Sequence, residues 1–516
     1  MIQWLMLGLF VALLLGSGYI AMRKTKTVND FFLGNRNVGP WMSAFAFGTT
    51  YFSAVLFIGY AGKVGWGFGL SALWIAVGNA LIGSLLAWWI LAKRTRRMTV
   101  RLNARTMPEF LEARYGSRNL KLYSALIIFI FLVPYSASVY MGLSYLFQEV
   151  LGMEYLMANI MMAGLTALFL VMGGYLAVAI TDFIQGIVML FGVAMMLFFV
   201  FSHEKVGGLS EAIVRLDAVN PALALAAPTS LPAIIALVSL VLLTSLGTWG
   251  LPQMVQKFYS IKDEASISRA TWVSTVFCII IGAGAYGIGA LSPLFFEQLP
   301  LLDGQPNPDL IIPQILTETL PLFGLTIILL LVLSASMSSL ASLVLVSASA
   351  IAIDFVGIVK PDWGKKYGVL LMRALCIIFV LLSLLIAIAK PAIILDLMAI
   401  SWGTVAGTFL APYLYGLFWR KTTKAGAWAG ALTGLTISVG LSFIAPLFGF
   451  TSIGEIRLDT PLVGTLAMLT SLLVVPVVSL LTAPLPTDRV DQAFGTEEQE
   501  KSKQYNPSSI REEINT

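Results

Sequence analysis

Apolar residues come in runs of about twenty along almost the whole chain, separated by short polar segments that carry most of the lysines and arginines. A bilayer core about 30 Å thick needs about twenty apolar residues of helix, so each run predicts a membrane span. The pattern predicts about thirteen, near residues 3–22, 41–60, 71–92, 122–148, 156–175, 180–201, 230–250, 271–294, 322–352, 367–389, 394–418, 426–447 and 460–483. The run Trp4 to Met22 has no basic segment before it and no small-residue cleavage site after it. Its positive charges, Arg23, Lys24 and Lys26, follow it, as in a retained first span rather than a signal peptide.

Two of these runs interrupt themselves. The first holds Phe47-Gly48-Thr49-Thr50-Tyr51-Phe52-Ser53-Ala54, where hydroxyls beside a glycine have no use to a lipid-buried helix. About two hundred residues later the second holds Thr244-Ser245-Leu246-Gly247-Thr248-Trp249-Gly250-Leu251-Pro252. An unwound stretch near the bilayer midplane frees carbonyls and half-helix ends that can hold an ion. Two such breaks in corresponding places of two halves point to the binding site of a secondary transporter.

Charge sets the topology. With the N-terminus outside, the inner loops hold 22 basic residues and the outer loops five (Lys63, Lys205, Arg215, Lys390 and Arg457), as the positive-inside rule requires. Lys257, Lys262 and Arg269 form one of the inner groups. An odd span count then puts the C-terminus inside, and the polar stretch 484–516 reads as a disordered cytoplasmic tail. The chain is 58% hydrophobic and 11% charged, against roughly 25% charged in soluble domains. The net charge of +5 sits in these loops, so it orients the protein in lipid and does not indicate nucleic acid. Cys278 and Cys376 lie in apolar runs without a second Cys or His at ligand spacing, which predicts packed thiols.

Candidate chemistry concentrates in a few places. The ninth span holds Ser334, Ser336, Ser338, Ser339 and Ser342, five serines in nine residues. Small residues let membrane helices pack closely, and hydroxyls beside a broken helix also suit sodium, a hard cation that takes neutral oxygens. Asp182, at the start of a span, either stabilises a helix N-terminus or attracts a cation moving toward the cytoplasm. Tyr135, Ser136 and Ser138 follow Pro134, as cavity lining or as hydroxyls satisfying a proline kink. His203 falls in an outer loop and Arg373 reads as a snorkelling anchor.

These residues resemble the sodium:solute symporter family over roughly residues 5 to 480. The resemblance is carried, in order, by Phe31-Phe32-Leu33-Gly34-Asn35-Arg36-Asn37-Val38-Gly39-Pro40, Glu109-Phe110-Leu111-Glu112-Ala113-Arg114-Tyr115-Gly116-Ser117, and Gly173-Gly174-Tyr175 with Thr181-Asp182-Phe183-Ile184-Gln185. Gly250-Leu251-Pro252-Gln253, the serine-rich span and Phe418-Trp419-Arg420-Lys421-Thr422-Thr423-Lys424-Ala425-Gly426-Ala427 complete it. It implies an all-α polytopic protein with a LeuT-like core of two inverted five-helix repeats. These would be residues 41–201 and 230–418, after an extra N-terminal helix and linker (1–40) and before two extra helices (419–483).

The family's sodium site, carried over, would be the carbonyls of Thr49, Phe52 and Ala335 and the hydroxyls of Ser338 and Ser339. Asp182 matches the acidic residue associated with inward sodium release. Proline-type members carry Asp where this chain has Tyr51. Together with Asn307-Pro308-Asp309-Leu310-Ile311-Ile312-Pro313, that departure favours the pantothenate and monocarboxylate branches, with proline or sugar as the alternative solute.

The function expected is sodium-coupled uptake of a small organic solute, a carboxylate, across the plasma membrane by alternating access. Solute would bind between the broken helices and the Tyr135 patch, at Thr50, Tyr51, Ser53, Tyr135, Ser138, Thr244, Thr248, Trp249 and Gln253. The expected partners are sodium, the solute and the lipid bilayer. A proton-coupled carrier of this fold would place a Lys or an acid at the sodium position, where the Thr/Ser pattern supplies none. A channel fits two interrupted helices less well than a carrier does. A membrane enzyme needs an intramembrane acid, base or metal cluster, and no such constellation is legible.

Overall fold

The computed structural model describes residues 2–22, 32 and 36–495, and over them it is almost entirely helical. Eleven helices among the described residues are long and apolar enough to cross a membrane. They sort into inner and outer helices. The apolar window of Leu322–Val359 is wholly buried and that of Ile394–Phe418 is 89% buried, against 22% for Gln3–Ile20 and 17% for Lys424–Phe448. The inner helices interleave serine, glycine and alanine with leucine, so neighbouring backbones approach closely. The outer ones leave Leu5, Leu9, Leu447 and Phe448 exposed, a surface that suits lipid.

Both predicted breaks are present. Helix Pro40–Tyr51 stops at Phe52, whose backbone is extended (φ −110°, ψ 115°), and the chain resumes as wide π turns over Val55–Tyr60. The Ser53 hydroxyl accepts the Val55 N–H (3.2 Å), so the new helix starts on a side-chain oxygen. In the second break, Leu231–Ser245 tightens into a 3-10 turn, Leu246–Gly250, extends at Leu251 and restarts at Pro252. Proline forces this: it disfavours helix at the residue before it, and at a helix start it lacks an N–H no partner would need.

Three features differ from the expected spans. Where spans 156–175 and 180–201 were expected, the structure has one helix, Tyr155–Ser202, of 48 residues, whose apolar stretches are Tyr155–Val171 and Val178–Ser202. No proline interrupts it, and sequence hydropathy alone placed the boundary. From Val55 to Arg101 the chain is helical throughout, but at Gly69 it leaves helical backbone space (φ +52°), which separates the second and third runs. A Cβ at Gly69 would lie 2.2 Å from the Leu223 carbonyl oxygen, so both conformation and contact require glycine. Finally, the tail is not disordered from residue 484. Thr487–Phe494 forms a helix, with Phe494 buried beneath the guanidinium groups of Arg114 (5.0 Å) and Arg420 (5.3 Å). The remainder, 496–516, lies outside the described residues, as do 31 and 33–35 of the first family motif and 23–30 with the charges that follow the first span.

The serine-rich helix Leu322–Ser349 packs against Tyr155–Ser202, Arg118–Leu151 and Pro40–Tyr51, which brings the first break and the serines together. Beyond the break, Ala61–Phe68 crosses Glu264–Ala290 in direct backbone contact: a Cβ on Gly65 would sit 1.9 Å from the Gly289 carbonyl carbon.

One buried carboxyl outside the spans ties the fold to pH. Asp309 Oδ2 accepts the N–H of Ile394 (3.1 Å), the first residue of helix Ile394–Phe418, while Oδ1 has no hydrogen-bond partner. Burial pushes this carboxyl up to about 7, with the Ile394 N–H and Lys63 pulling the other way. Its unfolded value is about 3.9, so its contribution to stability is full below about pH 4 and is lost as pH rises through about 7. Asp309→Asn keeps an acceptor for Ile394 but cannot ionise. It should flatten the fall in melting temperature between pH 4 and 7 in detergent; parallel wild-type and variant curves would contradict this.

Candidate functional site

The first break and the serine helix meet through hydroxyls. Ser338 Oγ donates to Thr49 Oγ1 (2.7 Å), which itself donates to the Phe45 carbonyl (2.8 Å). Ser339 Oγ lies 3.3 Å from the Thr49 carbonyl and 3.2 Å from the Thr50 carbonyl. The helix ending at Phe52 leaves such carbonyls without their usual partners four residues on. Thr49, Ser338 and Ser339 are thus gathered as expected. Phe52 lies at the break itself, and Ala335 one turn before the serines. All five are buried. The Thr49, Ser338 and Ser339 oxygens thus form a set of hard, neutral donors without a carboxylate among them.

One helical turn further along, the contacts become charged. Thr50 Oγ1 and Ser342 Oγ share a proton at 2.9 Å, and Lys257 Nζ donates to Ser342 Oγ at 3.0 Å. Lys257 is 0% exposed and lies on Pro252–Ser260, the helix after the second break. Counting it among the basic loop residues was therefore wrong. The helix restart at Pro252 turns Lys257 inward, so a titratable group stands beside the Thr/Ser pattern at Ser342. Asp182, likewise 0% exposed, sits within the continuous helix Tyr155–Ser202. There is no helix N-terminus at Asp182 for it to stabilise, which removes that reading. Neither of its carboxylate oxygens has a hydrogen-bond partner.

On the other side of the first break lies a narrow cavity of about 20 Å³, lined by Tyr51, Phe52, Ser53, Tyr135, Thr244 and Trp402 among others. Tyr51 stacks on Phe52 (4.6 Å) and Tyr135 meets Trp402 edge-on (5.6 Å). Tyr51 OH donates to the Thr244 carbonyl (2.6 Å), joining the two broken helices directly. Charged groups stand to either side of this region. Asp354 accepts from Thr106 Oγ1 (2.8 Å) and lies 3.7 Å from Lys121 at the end of the serine helix, while Lys63 reaches Asp396 (3.8 Å) at the other end.

The sequence model of the sodium:solute symporter family matches residues 31–434. The chain belongs to the sodium:solute symporter family. Sodium is accordingly the co-transported ion of this symporter. It is 30% identical over 466 residues to the osmoregulated proline transporter OpuE of Bacillus subtilis (strain 168), covering 87% of this chain and 93% of that one. It is 31% identical over 425 residues to the sodium/proline symporter of Haemophilus influenzae (strain ATCC 51907 / DSM 11121 / KW20 / Rd), covering 81% and 83%. A Na+-coupled sialic acid symporter, solved substrate-bound and outward-open, superposes with a TM-score of 0.78 over 94% of this chain and 98% of that one; at 18% identity the likeness is of fold, which is LeuT-like.

Of the solute residues expected in this symporter, Tyr51, Ser53, Tyr135 and Thr244 line the cavity. Thr50 turns to Ser342 instead, and Ser138 Oγ donates to the Tyr135 carbonyl (2.7 Å). Thr248 Oγ1 donates to the Ser245 carbonyl (2.8 Å), and Trp249 Nε1 to the Ile82 carbonyl (3.0 Å). Both amide atoms of Gln253 are buried without partners, off the cavity. The sequence reading missed Tyr60, Asn79, Tyr286, Met398 and Trp402, which also line it. Asn79 was detectable as a lone amide in an apolar run. It accepts from Thr244 Oγ1 (2.9 Å) and Ser245 Oγ (3.0 Å), bracing the second break.

Proposed function

We propose that this symporter imports a small carboxylate-bearing solute together with Na+ across the plasma membrane by alternating access, with proline or a similar imino acid as the leading candidate. One observation carries the reading: the last turn before the unwound Phe52–Ser53 segment meets Ser338 and Ser339, with Ser338 2.7 Å from Thr49 Oγ1. Na+ binds to the carbonyls of Thr49, Phe52 and Ala335 and to the hydroxyls of Ser338 and Ser339. Asp182 draws it onward to the cytoplasm.

The names of the two proline relatives support proline over the pantothenate and monocarboxylate types. The cavity's chemistry supports it too. Tyr51 stands where proline-type members carry Asp, so a secondary ammonium would rest against the faces of Tyr51, Phe52, Tyr135 and Trp402. The solute carboxylate would lie at a half-helix N-terminus, whose dipole supplies positive charge. An N-terminus outside agrees with the distribution of basic loops. One charge moved inward down 100 mV contributes about 2.3 kcal/mol, about fiftyfold accumulation.

The test is uptake into proteoliposomes under an imposed Na+ gradient, screening radiolabelled proline, pantothenate, short monocarboxylates and sugars. Concentrative, saturable uptake of proline is expected. Uptake unaffected by collapsing the Na+ gradient would overturn the coupling, and uptake of only a sugar would overturn the solute assignment.

A further inference from the structure

Lys257 and Asp182 are two fully buried charged side chains on helices packed against Pro40–Tyr51, the helix that ends at the first break. The Lys257 ammonium has a built setting. It donates to Ser342 Oγ (3.0 Å) and lies over the Tyr175 ring (5.3 Å to the centroid), while the Tyr175 hydroxyl is pinned to Ser260 Oγ (2.6 Å). Tyr175 and Asp182 are seven residues apart on one helix, so they share the face that meets Lys257 at Tyr175. Neither Asp182 oxygen has a hydrogen-bond partner, and the Ser338 hydroxyl gives its proton to Thr49 Oγ1. Lys257 thus connects to Thr50 through Ser342, and Asp182 lies on the same helix face as Gly186, four residues on, where a Cβ would be 3.2 Å from Thr49 Cγ2.

We infer that Lys257 is a tethered cation whose charge balances Asp182 at the sodium site, setting Na+ affinity low enough for release. The inference rests on the cotransport reading above. In the wild type, repulsion from Lys257 and attraction to Asp182 nearly cancel at the bound ion, leaving neutral oxygens to set the affinity. Removing one charge unmasks the other. At an effective dielectric of about 20 an uncompensated charge still changes affinity about tenfold at about 12 Å, and more at shorter range. A Lys257 that merely packs predicts no such pattern, since loss of packing weakens binding whichever residue is replaced.

The experiment measures 22Na+ binding and Na+-dependent uptake for purified Lys257→Met, Lys257→Gln, Asp182→Asn, the double Lys257→Met/Asp182→Asn and Lys257→Arg. Lys257→Met should bind Na+ about tenfold more tightly and turn over more slowly, because release is retarded. Asp182→Asn should bind about tenfold more weakly. The double variant should return to within about threefold of wild type, and Lys257→Arg should stay near wild type. Lys257→Gln repeats the test with a polar side chain should Met fail to fold. Shifts of the same sign in both single variants, or no recovery in the double, overturn the charge balance while leaving sodium coupling intact. A wild type indifferent to Na+ overturns both readings.

Discussion

Ser338→Ala with Ser339→Ala is expected to abolish sodium-driven uptake at ordinary sodium concentrations, raising the half-saturating Na+ concentration a hundredfold or more. Each hydroxyl is proposed as an ion ligand, and a hydrogen-bonding group facing a charge is worth about 1.5–3 kcal/mol, so losing two costs at least two orders of magnitude in affinity. Both side chains are fully enclosed, so water cannot replace them readily. The same serines touch Thr49 and the Thr49 and Thr50 carbonyls, so a structural contribution must be separated. Thermal unfolding without Na+ does this: the variant should melt within a few degrees of wild type in potassium but lose the stabilisation that added Na+ gives. An unchanged Na+ titration would remove these serines from the ion site.

Gly65→Ala is expected to cost most of the folded protein. The new Cβ would lie 1.9 Å from the Gly289 carbonyl carbon and 2.0 Å from its oxygen, and backbone cannot swing aside as a side chain does. Ala61–Phe68 must then move off Glu264–Ala290, undoing packing beside the first break. Overpacking usually costs about 1–3 kcal/mol, and a backbone clash lies at or beyond the upper end. Gly67→Ala is the matched control, because a Cβ there meets nothing within 4 Å and alanine favours helix. Size-exclusion profiles and melting curves in detergent should show a collapsed yield for Gly65→Ala and a normal one for Gly67→Ala. Equal behaviour of the two would mean that the helices separate without penalty.

Much of the site was legible because its signals are local. Hydroxyls and glycine in Phe47–Ala54 and the proline at 252 are each incompatible with an ordinary lipid-facing helix, and both breaks stand where those residues predict them. The serine run was legible for the same reason. Its partner was not, because Thr49 and Ser338 are 289 positions apart and only helix packing brings them to 2.7 Å. Thr248 and Trp249 show the limit most clearly: their residue types suited a binding site, yet their donors go to the Ser245 and Ile82 carbonyls. Trp402 and Met398 were missed because an aromatic or a methionine in an apolar span carries no local mark that separates cavity lining from core.

By itself the sequence determined that the chain is a polytopic membrane protein with two interrupted helices and a hydroxyl-rich helix. Hydropathy period, helix-breaking residues and composition act within a few turns and need no knowledge of neighbours. The tertiary structure alone decided which hydroxyls meet and that Tyr155–Ser202 is one helix. It also decided that Lys257 turns into the interior instead of a loop. The reason is that a charge's environment is set by the elements packed around it. Four residues separate Pro252 from Lys257 in the chain, but Ser342 and Tyr175, from two other helices, make its surroundings.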